Sequence, residues 1–308
     1  MRFLSGRMSG VKKKKVLFVA TVVKTHMMQF HIPYLRMFQE MGWETAVASR
    51  NDYEDPADCR IPYCDTYYDI PFERLPWKLK NGKAYRMLKK IIEEGSFDLI
   101  HCHTPVGAMI ARLAALSARK KGTKVIYTAH GFHFFTGAPL KNWLMFYPVE
   151  WLLAPVTDVL ITINKEDYAL AQRKLKAKEI VYVPGVGIDL SAFTPDQAGI
   201  SRQALDIPES NRVVLSVGEL SYRKNHELLI RAAAGIQDIT ILIAGSGALD
   251  SHLKSLAREL SCDVRFLGYR KDVAALCGVC DLFVLPSFQE GLPVALMEAM
   301  ACEKAVSC

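Results

Sequence analysis

Short apolar runs punctuate the first 185 residues: KVLFVATV (15–22), ETAVAS (44–49), FDLIHCHT (97–104), KVIYTAHG (124–131), DVLITIN (158–164) and EIVYVPG (179–185). Each is rich in Val and Ile and bounded by Gly, Pro or Asp, the pattern of parallel strands buried on both faces. The intervening HIPYLRMFQEMG and VGAMIARLAALSARKKG repeat apolar positions every three or four residues, and a glycine stops each one, so they read as helices. The same rhythm restarts at RVVLSVGE, ITILIAGSG, VRFLGY and DLFVLPS. An α/β protein of two doubly wound Rossmann-like units is expected. Strand character lapses in VPGVGIDLSAFTPDQAGISRQ, which places the domains at residues 1–188 and 189–308.

No stretch is long and apolar enough to span a bilayer. The best candidate, NWLMFYPVEWLLAPVTDVLITI, is broken by Pro148, Glu150, Pro155 and Asp158 and reads as a helix followed by a strand. The start resembles a signal peptide, but its apolar run, Val16 to Val23, ends at Lys24 without a small-residue cleavage site. It reads instead as a basic lead-in to a first strand, with Met8 an alternative start. The eight cysteines show no framework spacing, and the lone CGVC at 277–280 lacks a second pair, so buried thiols and a reduced, cytoplasmic setting are expected.

Charge is divided between the halves. Residues 1–188 hold 28 Lys+Arg against 17 Asp+Glu, net +11, and residues 189–308 hold 11 against 15, net −4. No nucleic-acid module accompanies the basic half, which favours an anionic membrane leaflet or a phosphorylated substrate as its partner.

In such sheets ligands sit beyond the carboxyl ends of the strands. Arg223 and Lys224 follow RVVLSVG in a loop entering a helix, where two adjacent cations make a diphosphate cradle. After DLFVLPS comes FQEGLPVALMEAMA. Gly291 permits close backbone approach, and Pro293 suits a first helical turn whose positive end meets an anion. Glu290 sits ahead of this helix, and Glu298 lies inside it, two helical turns or about 12 Å further along at helical rise. One ligand touching both carboxylates needs hydroxyls at each end and a negative centre, the shape of a nucleoside diphosphate sugar. Histidines 101, 103, 130 and 133 fall near strand ends. Zinc there lacks a supporting carboxylate or cysteine pattern, and no metal is expected.

Residues 211–301 resemble the donor-binding domain of glycosyltransferase family 4 in VGELSYRKNHELLI, LIAGSGALDSHL, VRFLGYRKDV and DLFVLPSFQEGLPVALMEAMA. The amino-terminal half, through FHIPYL, HCHTPVGAMIARLAA, YTAHGFHFF, NWLMFYPVEWLL and VPGVGIDLSAF, is similar to the bacterial capsular and exopolysaccharide branch. The resemblance implies a GT-B fold, two Rossmann-like domains facing across a cleft, and a retaining glycosyltransferase that needs no metal. It implies that Lys224, assisted by Arg223, holds the donor diphosphate and that Glu298 binds the ribose hydroxyls. Glu290 would lie beside the transferred sugar, which His130 faces from the amino-terminal domain, and Gly218, Gly291, Leu292 and Pro293 would line the donor.

Three departures stand out. Glu219 replaces an arginine common after the glycine, VVKTHMMQF replaces a glycine-rich loop, and the tail ACEKAVSC has Glu303 and Ala305 where a glycine and a proline are usual. Acceptor contacts through Lys24 or His26 are therefore open, and the resemblance implies that a carboxy-terminal part of the second domain is missing. The expected reaction moves a sugar from a nucleoside diphosphate sugar, preferably a UDP-sugar, to a lipid-linked or saccharide acceptor in cell-surface polysaccharide synthesis. It would take place on the inner face of the plasma membrane. An inert nucleotide-sugar-binding remnant and a nucleotide-sugar epimerase are the alternatives.

Overall fold

The computed structural model describes residues 13–185, 187–195, 200–290 and 292–308. The lead-in around Met8, Lys12 and the expected donor residue Gly291 lie outside these described residues. The chain divides into Met1–Val186 and Gly187–Cys308.

The first unit is a seven-stranded parallel sheet: β1 (Lys15–Val22), β2 (Glu44–Arg50), β3 (Thr66–Asp69), β4 (Leu99–His103), β5 (Lys124–Ala129), β6 (Val159–Thr162) and β7 (Glu179–Tyr182). Its order is β3-β2-β1-β4-β5-β6-β7. Successive side chains point to opposite faces, and both faces are covered. Leu17, Val19, Ala46, Ala48, Ile100 and Cys102 enter one core, while Val16, Phe18, Ala20, Val47 and Leu99 enter another. This explains why β1 reads as an unbroken apolar run: every residue from Val16 to Val22 is buried.

The second unit repeats the design with β8 (Arg212–Val217), β9 (Ile239–Ala244), β10 (Val264–Gly268), β11 (Leu282–Val284) and β12 (Ala305–Ser307), all parallel, in the order β10-β9-β8-β11-β12. Val213, Leu215, Leu242 and Phe283 pack on one side, and Val214, Ile241, Ile243 and Leu282 on the other. The strand order reverses between β1 and β4 in the first sheet and between β8 and β11 in the second. The crevice at such a reversal is where doubly wound sheets bind ligands.

Two strands escape the sequence pattern. β3 (TYYD) and β12 (AVS) are short edge strands, half-exposed and exposed respectively, so they lack the apolar run that marks the others. The long candidate segment folds as a helix, Leu140–Leu153, followed by β6. No helix among the described residues is long and apolar enough to cross a membrane. All eight cysteines are free thiols. Cys277 and Cys280 are buried around the end of the helix Val273–Val279, and burial drives both thiols up, Cys280 to about 11.

Candidate functional site

At the reversal of the second sheet, the loop after β8 closes into a single 3-10 turn, Tyr222–Lys224, ahead of the helix His226–Ala232. Lys224 Nζ donates to Glu290 Oε1 at 2.6 Å, and an Arg223 guanidinium nitrogen donates to Glu290 Oε2 at 3.2 Å and to the Gln289 carbonyl at 3.0 Å. The Phe288 amide returns a bond to the Arg223 carbonyl at 3.0 Å, so the loops after β8 and β11 are tied together. Two cations thus share one carboxylate. Burial pushes the Glu290 carboxyl up, but the hydrogen bond and charge of Lys224, with Arg223, outweigh it and hold it below its ordinary value.

Glycines make this approach possible. A Cβ on Gly218 would press on the Lys224 stem at 3.2 Å, so its absence lets that side chain lie across the strand end. A Cβ on Gly245 would run into the Gly218 carbonyl, which explains the glycine closing β9. Glu219, the departure from the family pattern, is exposed.

The helix carrying Glu298 begins at Val294, with Pro293 as its cap residue and Leu292 just before it. Glu290 therefore precedes the helix by four residues, and Glu298 lies about one turn into it rather than two. Pro293 (φ −80, ψ 76) is not helical, so helical rise applies only from Val294 onward. Glu298 is half-buried and has no hydrogen-bond or ion-pair partner among the described residues. Burial pushes its carboxyl up to about 7.

At the reversal of the first sheet, VVKTHMMQF folds as a π-helical turn, Val23–Met27, running into the helix Met28–Phe30. This turn brings His26, and the next break in helix brings His31, against His103 at the end of β4 and His130 just past β5. The His31 and His103 ring centroids are 3.8 Å apart, His26 and His130 4.9 Å, and His103 and His130 5.4 Å. Burial keeps these rings neutral: His26 falls to about 3, His130 to about 4, and His31 and His103 well below the usual value.

Of the four histidines near strand ends, His103 and His130 meet here, and the His101 ring centre lies 4.2 Å from that of His103. His101 sits one pleat deeper, its Nε2 2.9 Å from Thr128 Oγ1, and His133 lies against Phe146. His26 and His31 join His103 and His130. The residues carried by the loop after β1 could not be placed by strand periodicity, since a π-turn advances the chain out of helical register. Lys24, the other open acceptor candidate, has its backbone amide bonded to Asp52 Oδ1 at 2.6 Å and its ammonium 5.6 Å from the Tyr53 ring centre. His226 escaped notice altogether. It is buried beside Lys224 with neither ring nitrogen paired.

Residues 15–164 match the family model described as glycosyl transferase 4-like, and residues 198–307 the model for glycosyl transferases group 1. EpsD of Bacillus subtilis, named as a glycosyltransferase, is 41% identical over 302 residues, covering 94% of this chain and 77% of EpsD. A UDP-Gal:alpha-D-GlcNAc-diphosphoundecaprenol alpha-1,3-galactosyltransferase of Escherichia coli is 29% identical over 72% of this chain and 60% of that protein. Among solved structures, Anabaena HepE in complex with UDP-glucose superposes with a TM-score of 0.74 at 20% identity, over 95% of this chain and 79% of HepE. The chain is a glycosyltransferase of the GT-B fold and belongs to the group 1, GT4-like family.

Proposed function

We propose that the chain transfers a sugar with retention of configuration from a nucleoside diphosphate sugar, a UDP-sugar in preference, to a lipid-linked or saccharide acceptor in cell-surface polysaccharide synthesis. The observation that carries this reading is the pair of cations, Lys224 and Arg223, held on one carboxylate at the reversal of the second sheet. A diphosphate brings more negative charge than Glu290, so it competes for both cations through charge-assisted hydrogen bonds. Once displaced, Glu290 is free to accept hydroxyls of the transferred sugar, and Glu298, left without partners, accepts those of the ribose. The UDP-Gal in the E. coli relative's name and the UDP-glucose bound to HepE support the choice of nucleotide.

On this reading catalysis is electrostatic. Lys224 and Arg223 stabilise the charge that develops as the diphosphate leaves. The acceptor attacks the same face, and the departing phosphate takes its proton. His130 and Glu290 orient the sugar, and no metal is assigned to the chemistry. The setting is the cytoplasmic face of the membrane, with the amino-terminal unit docked on anionic lipid. The test is a screen of nucleoside diphosphate sugars read out as released nucleotide, with and without polyprenyl-diphosphate-linked sugar. Acceptor-dependent release of UDP is expected. Sugar interconversion without acceptor would identify an epimerase instead, and binding without turnover an inert nucleotide-sugar binder.

A further inference from the structure

We propose that the reversal of the amino-terminal sheet is a zinc-class transition-metal site ligated by His26, His31, His103 and His130. Each of these residues offers one ring nitrogen, and the four lie within 4.8 Å of one another. Tetrahedral zinc with nitrogen ligands at about 2.0 Å has nitrogen–nitrogen edges of about 3.3 Å. His103 Nδ1 and His130 Nε2 are already 3.2 Å apart. No pair needs to close by more than about 1.5 Å to reach that edge.

The hydrogen bonding points the same way. Both ring nitrogens of His31, Nε2 of His26 and Nε2 of His103 are buried without a partner. Buried polar atoms are almost always satisfied, and each one left unpaired costs free energy. Each ring gives one nitrogen, so a cation held through His103 Nδ1 and His130 Nε2 would take up His26 Nε2 and one nitrogen of His31 as its other two ligands. The donor set selects the ion: imidazole suits zinc, copper, nickel and cobalt, whereas magnesium and calcium demand the oxygens that this cluster lacks.

The local backbone is unusual in the same place. His26 rides on a π-helical turn, a rare element concentrated at functional sites. Thr104, directly after His103, holds a left-handed φ of 62°, and its hydroxyl lies 2.6 Å from that of Thr21 on β1. Four neutral ligands leave the two positive charges of the ion uncompensated. Weaker affinity than in a thiolate site is therefore expected. An occupied site would sequester His130, so zinc should inhibit transfer and a chelator restore it. That consequence rests on the transferase reading, whereas metal binding does not.

The test uses the full chain without a polyhistidine tag, stripped by chelator and titrated with Co²⁺ alone in the absence of donor. One equivalent should bind with the intense visible d–d bands of tetrahedral nitrogen coordination, Zn²⁺ should displace it, and Mg²⁺ should not. His31→Phe, which preserves ring volume, should weaken Co²⁺ binding at least about tenfold, within the range that metal-site substitutions produce. His226→Phe, at the other buried, unpaired histidine, should leave it unchanged. If near-ultraviolet circular dichroism shows His31→Phe unfolded, His130→Gln takes its place with the same expectation. Absence of stoichiometric cobalt in the wild type, or equal weakening by substitutions at His31 and His226, would overturn the proposal.

Discussion

Glu298 and Glu290 are both glutamates of one short stretch, yet their surroundings drive them apart. Glu298 is pushed up to about 7 by burial alone. Its folded value lies above its unfolded one, so its favourable contribution is complete below about pH 4.5 and is lost as pH rises through about 7. Part of its water remains, which reduces the effect. Glu298→Gln should therefore stabilise the protein by about 1–2 kcal/mol at pH 8 and not at pH 4, measured by urea unfolding at the two pH values. If the carboxylate grips ribose, Glu298→Ala should weaken UDP binding by about 1.5–3 kcal/mol; unchanged affinity by calorimetry would remove it from the site. Glu290 gives the opposite expectation. Because it occupies Lys224 and Arg223, Glu290→Gln should bind UDP as tightly as the wild type or more tightly, while losing transfer. Lys224→Ala should weaken UDP and leave uridine unaffected, since only the diphosphate meets the ammonium. Equal losses for the two ligands would mean misfolding.

At the scale of elements, the helices Pro105–Ala114 and Leu140–Leu153 are joined by a buried ion pair. Arg112 meets both Glu150 oxygens, at 2.8 and 3.0 Å, donates to the Ala108 carbonyl at 3.1 Å and lies 4.4 Å from the Tyr127 ring centre. Every charge there has a partner, so removing one strands the other. Arg112→Leu should cost about 3–5 kcal/mol in chemical denaturation, and Arg112→Met with Glu150→Leu together should recover most of it. A double variant no better than the single would show that packing, not the stranded carboxylate, sets the cost. On the second helix, Trp143, Phe146 and Tyr147 pack on the core, and Trp143 Nε1 donates to the Phe135 carbonyl at 3.3 Å. Three of the four aromatics of NWLMFYPVEWLL are therefore partly buried against the core rather than presented to a lipid surface.

For the whole amino-terminal unit, the large apolar residues exposed on that helix include Leu140 (73%), Leu144 (71%) and Trp151 (50%), one row at helical spacing, with Leu152 (63%) beside it, in the half of the chain with net +11. An apolar row on a basic unit fits an anionic bilayer, where each cation near the headgroups adds about 1 kcal/mol. Sedimentation with vesicles should show binding to anionic and not neutral lipid, weaker at high salt and with Lys12 to Lys15 changed to Gln. Leu144→Glu with Trp151→Glu should abolish it. Equal indifference to both vesicle types at low salt would take the membrane out of the account.

The strands buried on both faces were legible in the sequence because full burial leaves an apolar run, as in Val16 to Val22. The exposed edges Thr66–Asp69 and Ala305–Ser307 were not, because half a strand in water carries no such mark. Lys224, Arg223 and Glu290 could be named from loops that follow buried strands, since a parallel sheet sends those loops to one edge. That Glu290 neutralises both cations was decided only when the adjacency of β8 and β11, 66 residues apart in the pairing of Lys224 with Glu290, became known. The histidine cluster lay beyond the sequence for the same reason. His26 and His31 stand far from His103 and His130 along the chain, and a π-turn with no distinct residue pattern aims them inward. Local periodicity reports burial, whereas the meeting of distant side chains follows from strand order, which no single segment encodes.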